Sequence, residues 1–365
     1  MSEPIWVNVP GGAYPIFVGH DLFAHPQLFQ QHIQRAICII SHPEIAAHYF
    51  PRVEKALVSA GASKITTFLI PSGDQHKTLA FADKIWTYLL TQQYHRDTTL
   101  IALGGGMLGD LVGFSASCYM RGVDVIQCPT SLLAQVDAAI GGKTAVNHPL
   151  SKNSIGHYHQ PKLVLADLST LATLTTREFI AGLAELIKYG VILDPALFEW
   201  LEVHLDSILA RDPTAIEYVV RAACQIKARV VSEDEKESGL RLSLNFGHTV
   251  AHAIENIYDY EKYLHGEAVA MGMIVALRLS LELRLASTNL LDRLISMLTK
   301  AGLPASLPEG ITVEAILAKI QLDKKHSLGQ IRWVLVESLG QARISEEVPI
   351  TTFRAVLKAS GATLS

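Results

Sequence analysis

Cysteine is scarce in this chain: there are four in 365 residues, Cys38, Cys118, Cys128 and Cys224, and no C-x-x-C pair among them. Such scattering argues against a disulfide framework and predicts buried free thiols in a reducing compartment. Blocks of lysine and arginine are missing too, and the formal net charge is -4. Without a basic patch the chain has nothing to offer a nucleic acid or a membrane surface, although local charge still suits a small anionic substrate. Long apolar runs are absent. The longest, Val269 to Leu281, is broken by Arg278 and flanked by Glu267 and Glu282, so it reads as a buried helix rather than a membrane span. The opening MSEPIWVNVPGG has no basic stretch ahead of an apolar core. No secretory signal is expected, and a cytoplasmic location is.

What is present is an ordinary globular composition, long enough for two domains, because one hydrophobic core seldom grows beyond roughly 250 to 300 residues. Ile5 to Val9 and Tyr14 to Val18 flank Gly11 and Gly12 and predict a hairpin. Ala36 to Ile40, Lys64 to Ile70, Thr98 to Leu103 and Val123 to Cys128 then read as short apolar strands. Helical segments follow each, near 44–60, 77–93, 107–119 and 131–139. That alternation predicts a parallel sheet covered by helices. From Thr176 the pattern turns to long helical periods at 177–192, 195–210, 214–233, 245–258, 266–285 and 288–301, so the second half reads as nearly all helical. The boundary is placed at 171–176, giving an α/β domain over 1–175 and an α-helical one over 176–365.

Four stretches carry chemistry. Thr98 to Asp110, TTLIALGGGMLGD, runs a strand into Gly104-x-Gly106-x-x-Gly109 and a helix. This is either a pyrophosphate cradle at a helix N-terminus, with Asp124 about the right distance on to hold a ribose, or a plain tight turn. Val136 to Asn147 with Lys152 and Asn153 is a second glycine turn, with lysines at both ends, suited to a phosphate or carboxylate; the alternative is a solvated loop. In Ala181 to Tyr189, Glu185 and Lys188 stand at i, i+3 inside an apolar helix, as an internal ion pair or as part of a site. Arg241, Asn245, His248 and His252 recur one turn apart, which predicts a polar stripe along one helix. Glu185, His248 and His265 together would leave open positions on Zn²⁺. His252 suits a proton relay or an anion contact, or could ligate through H-x-x-x-H.

Taken in order, LGGG-x-x-GD at Leu103–Asp110, IQCPTSLLAQVD at Ile126–Asp137, GGKTAVN at Gly141–Asn147, AELIKYG at Ala184–Gly190, NFGHTVAHAIE at Asn245–Glu255 and HGEAVAMGM at His265–Met273 make the chain similar, over essentially its whole length, to the 3-dehydroquinate synthase family of sugar phosphate cyclases. The resemblance implies an N-terminal Rossmann-like NAD-binding domain, an all-α C-terminal metal-binding domain, and a homodimer. It implies Glu185, His248 and His265 as ligands of zinc or cobalt. It puts NAD contacts on Asp74, Lys77, Gly106, Met107, Leu108, Gly109, Asp110, Thr130, Ser131, Asp137, Lys143, Lys152, Thr170, Leu171, Ala172 and Thr173.

For the anionic sugar-acid phosphate substrate the resemblance implies Arg121, Asp137, Lys143, Asn153, Lys188, Lys227, Arg241 and Lys325, the last chosen from Lys324 and Lys325, with Arg121 reaching in from a second copy. Catalytic roles fall on Lys143, Lys188, Lys227, Arg241, Asn245 and His252. The implied reaction belongs to the shikimate pathway and forms 3-dehydroquinate from 3-deoxy-D-arabino-heptulosonate 7-phosphate. Departures cluster around the cofactor and phosphate residues: His42, the shorter Asp74, Ala138 and Ala139 in place of serines, and Ser151, Ser154, His157 and His159. A net dehydrogenase of the glycerol dehydrogenase kind is the competing enzyme reading. The cationic residues disfavour it, since an uncharged polyol gives them nothing to bind.

Overall fold

The computed structural model describes residues 3–326 and 331–363, with side chains of 3–321 and 331–363. Two compact units emerge. One comprises residues 1–175 with 220–236, and the other 176–219 with 237–365.

The first unit is built on seven strands: β1 (Ile5–Val9), β2 (Gly12–Gly19), β3 (Ala36–Ser41), β4 (Lys64–Leu69), β5 (Thr98–Gly104), β6 (Asp124–Pro129) and β9 (Leu163–Asp167), in the order β1-β2-β9-β6-β5-β3-β4. β1 and β2 form the expected antiparallel hairpin, and all other pairings are parallel. Strand side chains alternate faces, yet both faces are apolar, as a parallel sheet covered on both sides requires. Cys38, Ile40, Leu100 and Ala102 pack with α3 (Leu79–Thr91) and α4 (Gly106–Cys118), whereas Ile37, Ile39, Ile101 and Leu103 pack with α1 (Pro26–Phe29) and α2 (Pro43–Ser59). From β3 the chain steps outward to β4, returns to β5 and then proceeds to β6. The order therefore reverses between β3 and β5, the position where open α/β sheets bind ligands beyond their strand ends.

Three strands of this unit are not predicted by the sequence pattern. The Lys143–Asn153 region is not a loop but most of a hairpin, β7 (Lys143–His148) with β8 (Ser151–Tyr158), and β9 closes the gap between β2 and β6. The polar face of β8 is exposed, so its sequence lacked the apolar run that marks a buried strand.

The second unit contains α5 (Thr176–Ile192), α6 (Pro195–Leu209), the start of α7 (Pro213–Glu233), α8 (His248–Ile257), α9 (His265–Glu282), α10 (Thr288–Ala301), α11 (Val313–His326) and α12 (Ile350–Ala359). It is not purely helical. β10 (Trp333–Ser338) and β11 (Gln341–Ser345) form an antiparallel hairpin turning at Gly340, whose φ is +80°. Residues 220–233 of α7 belong to the first unit, where Cys224 Sγ meets the carbonyl of Gln135 at 3.4 Å and Lys227 pairs with Asp137. No helix among the described residues is long and apolar enough to cross a membrane.

Candidate active site

In the second unit three helices are drawn together by glycines. Gly266, one residue after His265, lies so near α5 that an added Cβ would sit 1.8 Å from the carbonyl oxygen of Ala181, one helical turn before Glu185. A Cβ on Gly272 would sit 2.0 Å from the carbonyl oxygen of Gly247, just ahead of His248. Gly247 itself takes φ +81°, left-handed backbone that only glycine adopts without strain, and its own Cβ would meet Met273 N at 2.8 Å. These contacts bring Glu185 of α5, His248 of α8 and His265 of α9 to one point.

There, Nε2 of His248 and Nε2 of His265 each lie 3.7 Å from Glu185 Oε1, and the three ligand atoms fall within 4.8 Å of one another. Glu185 is fully buried, and among the described residues its Oε1 has no hydrogen-bond partner, while its other oxygen pairs with Lys188. Leaving a buried carboxylate oxygen unsatisfied costs several kcal/mol unless something binds it. Ligands on a tetrahedral cation with bonds of about 2.0–2.1 Å stand about 3.3 Å apart, so little movement would close the triangle on one ion. The donor set therefore fits a metal. It is the one such group of His, Cys, Asp or Glu among the described residues.

Both imidazoles are aimed by their remaining nitrogens. Nδ1 of His248 faces the carbonyl of Phe246 at 3.1 Å, and Nδ1 of His265 faces Glu255 Oε1 at 3.0 Å. Burial, together with nearby Lys188 and the other two imidazoles, holds His248 well below the ordinary histidine value. Burial also opposes a proton on His265, but the carboxylates of Glu185 and Glu255 outweigh it and push that histidine up to about 10. The His252 ring stands 5.5 Å from His248 and 6.5 Å from His265, and Arg241 is almost fully buried.

In the first unit the candidate cofactor residues follow the carboxyl ends of the parallel strands: Asp74 and Lys77 after β4, Gly106–Asp110 after β5, Thr130, Ser131 and Asp137 after β6, and Thr170–Thr173 after β9. Gly105, the N-cap of α4, covers none of the helix's first N–H groups with a side chain, and a Cβ there would approach only Ser131 Oγ, at 3.6 Å. Gly109 packs against strand β6, where a Cβ would lie 2.8 Å from Gln127 Oε1. An open helix N-terminus at the reversal point of the sheet, with close helix–strand packing behind it, fits a dinucleotide pyrophosphate.

Around it lie paired charges. Lys77 pairs with Asp110 and reaches Asn153 Oδ1 at 2.6 Å, Lys152 pairs with Asp74, and Asn147 Nδ2 donates to Asp74 at 3.0 Å. Burial raises the Asp110 carboxyl, Lys77 opposes that, and Asp137 and Asp74 reinforce it. The main-chain N–H of Asn147 donates to the Lys77 carbonyl at 2.7 Å, docking the β7–β8 hairpin on this group.

A profile of the 3-dehydroquinate synthase N-terminal part matches residues 67–181, and one of the C-terminal part matches 182–326. Similar relatives are the 3-dehydroquinate synthases of Teredinibacter turnerae, 43% identical over 347 residues covering 95% of this chain and 96% of that one, and of Haemophilus ducreyi, 46% identical over 335 residues covering 92% of each. The chain belongs to the 3-dehydroquinate synthase family. Among solved structures, 2-epi-5-epi-valiolone synthase from Streptomyces hygroscopicus subsp. jinggangensis, with NAD⁺ and Zn²⁺ bound, superposes with a TM-score of 0.87 at 28% identity, covering 95% of this chain and 96% of that one.

For this synthase-family chain, several sequence expectations need correction. The polar stripe is not one helix: Arg241 and Asn245 lie in a 3₁₀ turn, Leu240–Asn245, and α8 begins only at His248 because Gly247 turns the chain. Asn245 Nδ2 instead meets Glu237 Oε1 at 2.9 Å. Asp124 starts β6, at the opposite end of the strands from the glycine turn, and accepts from Gln34 at 3.0 Å, so it cannot hold a ribose there. His42, which follows β3 as the N-cap of α2, stands nearer that turn and hydrogen-bonds the Ile70 carbonyl at 2.8 Å. Cys118 is exposed at the end of α4, unlike the other three cysteines.

Lys227 groups with the first unit rather than the helical half. Arg121 is exposed just beyond α4 with φ +66°, and Lys143 begins β7. Lys324 and Lys325 lie outside the residues whose side chains are described. Glu255 went unassigned, although its place seven residues after His248 and three after His252 sets it on the same stripe of α8.

Proposed function

We propose that the chain is a 3-dehydroquinate synthase that converts 3-deoxy-D-arabino-heptulosonate 7-phosphate to 3-dehydroquinate and phosphate, with NAD and a divalent metal, zinc or cobalt. The convergence of Glu185, His248 and His265 on one point carries the reading. The valiolone synthase with NAD⁺ and Zn²⁺ supports the same two cofactors. NAD would supply transient oxidation at C5 and the later return of hydride, and the metal would polarise the oxygen being oxidised.

Glu185, His248 and His265 would hold the metal, and the glycine turn with Asp74, Lys77, Thr130, Ser131, Lys152 and Thr170–Thr173 would hold NAD. Lys143 and Asn153 in the first unit, and Lys188 and His252 in the second, are the proposed phosphate residues. Arg241 and Lys227 are proposed for the carboxylate. The buried guanidinium of Arg241 presents a planar fork of N–H donors, which suits a carboxylate that must be held through every step. His252 stands beside the two ligand imidazoles and suits proton delivery to a leaving phosphate oxygen. No strong protein base is required for C6, because the departing phosphate can take that proton.

The test is purified, metal-loaded protein with the heptulosonate phosphate and trace NAD⁺, followed by phosphate release and the ultraviolet absorbance of dehydroquinate. Many turnovers per NAD⁺ are expected. No phosphate release, or NADH accumulating one for one with substrate, would overturn the proposal. We further propose a cytoplasmic homodimer in which Arg121 serves the second copy. Sedimentation at working concentration checks the assembly, and mixing R121A with an inactive K188A chain should restore part of the activity.

A further inference from the structure

We propose that Glu255 is a positioning residue for the metal centre: its carboxylate accepts from Nδ1–H of His265, at 3.0 Å, and so fixes that ring in the tautomer that turns Nε2 toward Glu185. The inference rests on the metal reading of Glu185, His248 and His265.

The two imidazoles are held in unlike ways. His248 is aimed by a neutral carbonyl two residues before it, so its orientation is built into the turn at Gly247. His265 opens α9, where no backbone carbonyl holds its ring among the hydrogen bonds of the described residues. It is aimed instead across helices, by a carboxylate two turns along α8 from His248. Glu255 is itself buried, and a buried carboxylate is stable only with such partners. One side chain of α8 thus ligates and another orients the ligand of α9, which ties the geometry of the centre to the α8–α9 packing at Gly247 and Gly272. A carboxylate behind a ligating imidazole also raises the basicity of its metal-binding nitrogen, and removing such a partner weakens metal binding by about 10- to 100-fold.

The experiment measures zinc affinity by competition with a chromophoric chelator in the wild type, E255Q, E255A and E255D, with H265A as the reference for loss of a ligand. Far-ultraviolet dichroism and NAD affinity report the integrity of each chain. E255A should bind zinc about 10- to 100-fold more weakly than the wild type. The isosteric E255Q, which keeps an acceptor without the charge, should fall between them, and E255D should recover part of the loss. In ¹⁵N-histidine-labelled, zinc-loaded wild type the His265 ring should show a protonated Nδ1 and a metal-bound Nε2, and the Nδ1–H signal should vanish in E255A. Wild-type affinity within threefold in both E255Q and E255A, in folded protein, overturns the assignment. If the wild type itself binds no better than H265A, it is the metal reading that fails.

Discussion

At the scale of single residues the second unit is organised around a buried carboxylate that has too few partners. Glu185 and Lys188 pair within α5, and among the described residues Oε1 of Glu185 makes no hydrogen bond but faces the Nε2 atoms of His248 and His265 at 3.7 Å, an arrangement that suits a shared cation. Replacing Glu185 by glutamine should reduce bound zinc from about one per chain to near none and lower turnover by at least about 10³-fold, since a polarising metal contributes several kcal/mol. Elemental analysis after gel filtration, alongside the phosphate-release assay, checks both; a fully loaded E185Q would refute it.

Proton competition follows from His265. With that ring pushed up to about 10, the metal-free site carries a proton at neutral pH which an incoming metal must expel. Apparent affinity should therefore rise by about tenfold per pH unit from pH 6 to 9, because His248, held low, adds no second proton. A chelator titration that gave the same affinity at pH 6.5 and 8.5 would contradict this.

At the scale of elements, helix approach decides everything. Gly266 and Gly272 exist where α9 touches the backbone of α5 and of the turn before α8, and neither contact leaves room for a methyl group. A G266A change must push α9 away from Ala181, with a stability loss of at least about 1–3 kcal/mol and separation of His265 from Glu185. Urea denaturation and zinc content should both report it. Thiols give a second test at this scale. Burial raises Cys38 and Cys224 to about 12 and pushes Cys128 further up, whereas Cys118 is exposed at the end of α4. At pH 8 one thiol per folded chain should react with a disulfide reagent, and all four after denaturation. Fast reaction of three or more in folded protein would mean that the sheet and α7 are not packed as described.

At the scale of the whole molecule the chain divides its labour between two units, and one helix, α7, belongs to both. NAD should be regenerated in every turnover, so trace NAD⁺ should support many turnovers with no net NADH absorbance at 340 nm. The sheet order, with its reversal between β3 and β5, explains why candidate cofactor residues separated by about a hundred positions in sequence share one end of the first unit. Position along the chain suggests nothing of the kind, and Asp124 shows the consequence. Its distance in sequence from the glycines suits a ribose contact, but pairing with Thr99 at the start of β5 places it at the opposite end of the strands from the glycine turn.

Alternating apolar strands and long helical periods, the glycine turn, and the pairing of one glutamate with two histidines were legible in the amino-acid order alone. Local periodicity and side-chain chemistry are written residue by residue. Where the chain would bend was not. The break at Gly247, the hairpins at 143–158 and 333–345, and the return of α7 to the first unit depend on close backbone approach and on which face stays exposed. The same holds for Glu255 and for His42, whose partners lie on other elements. Distances between elements are set by packing, and packing exists only once the chain has folded.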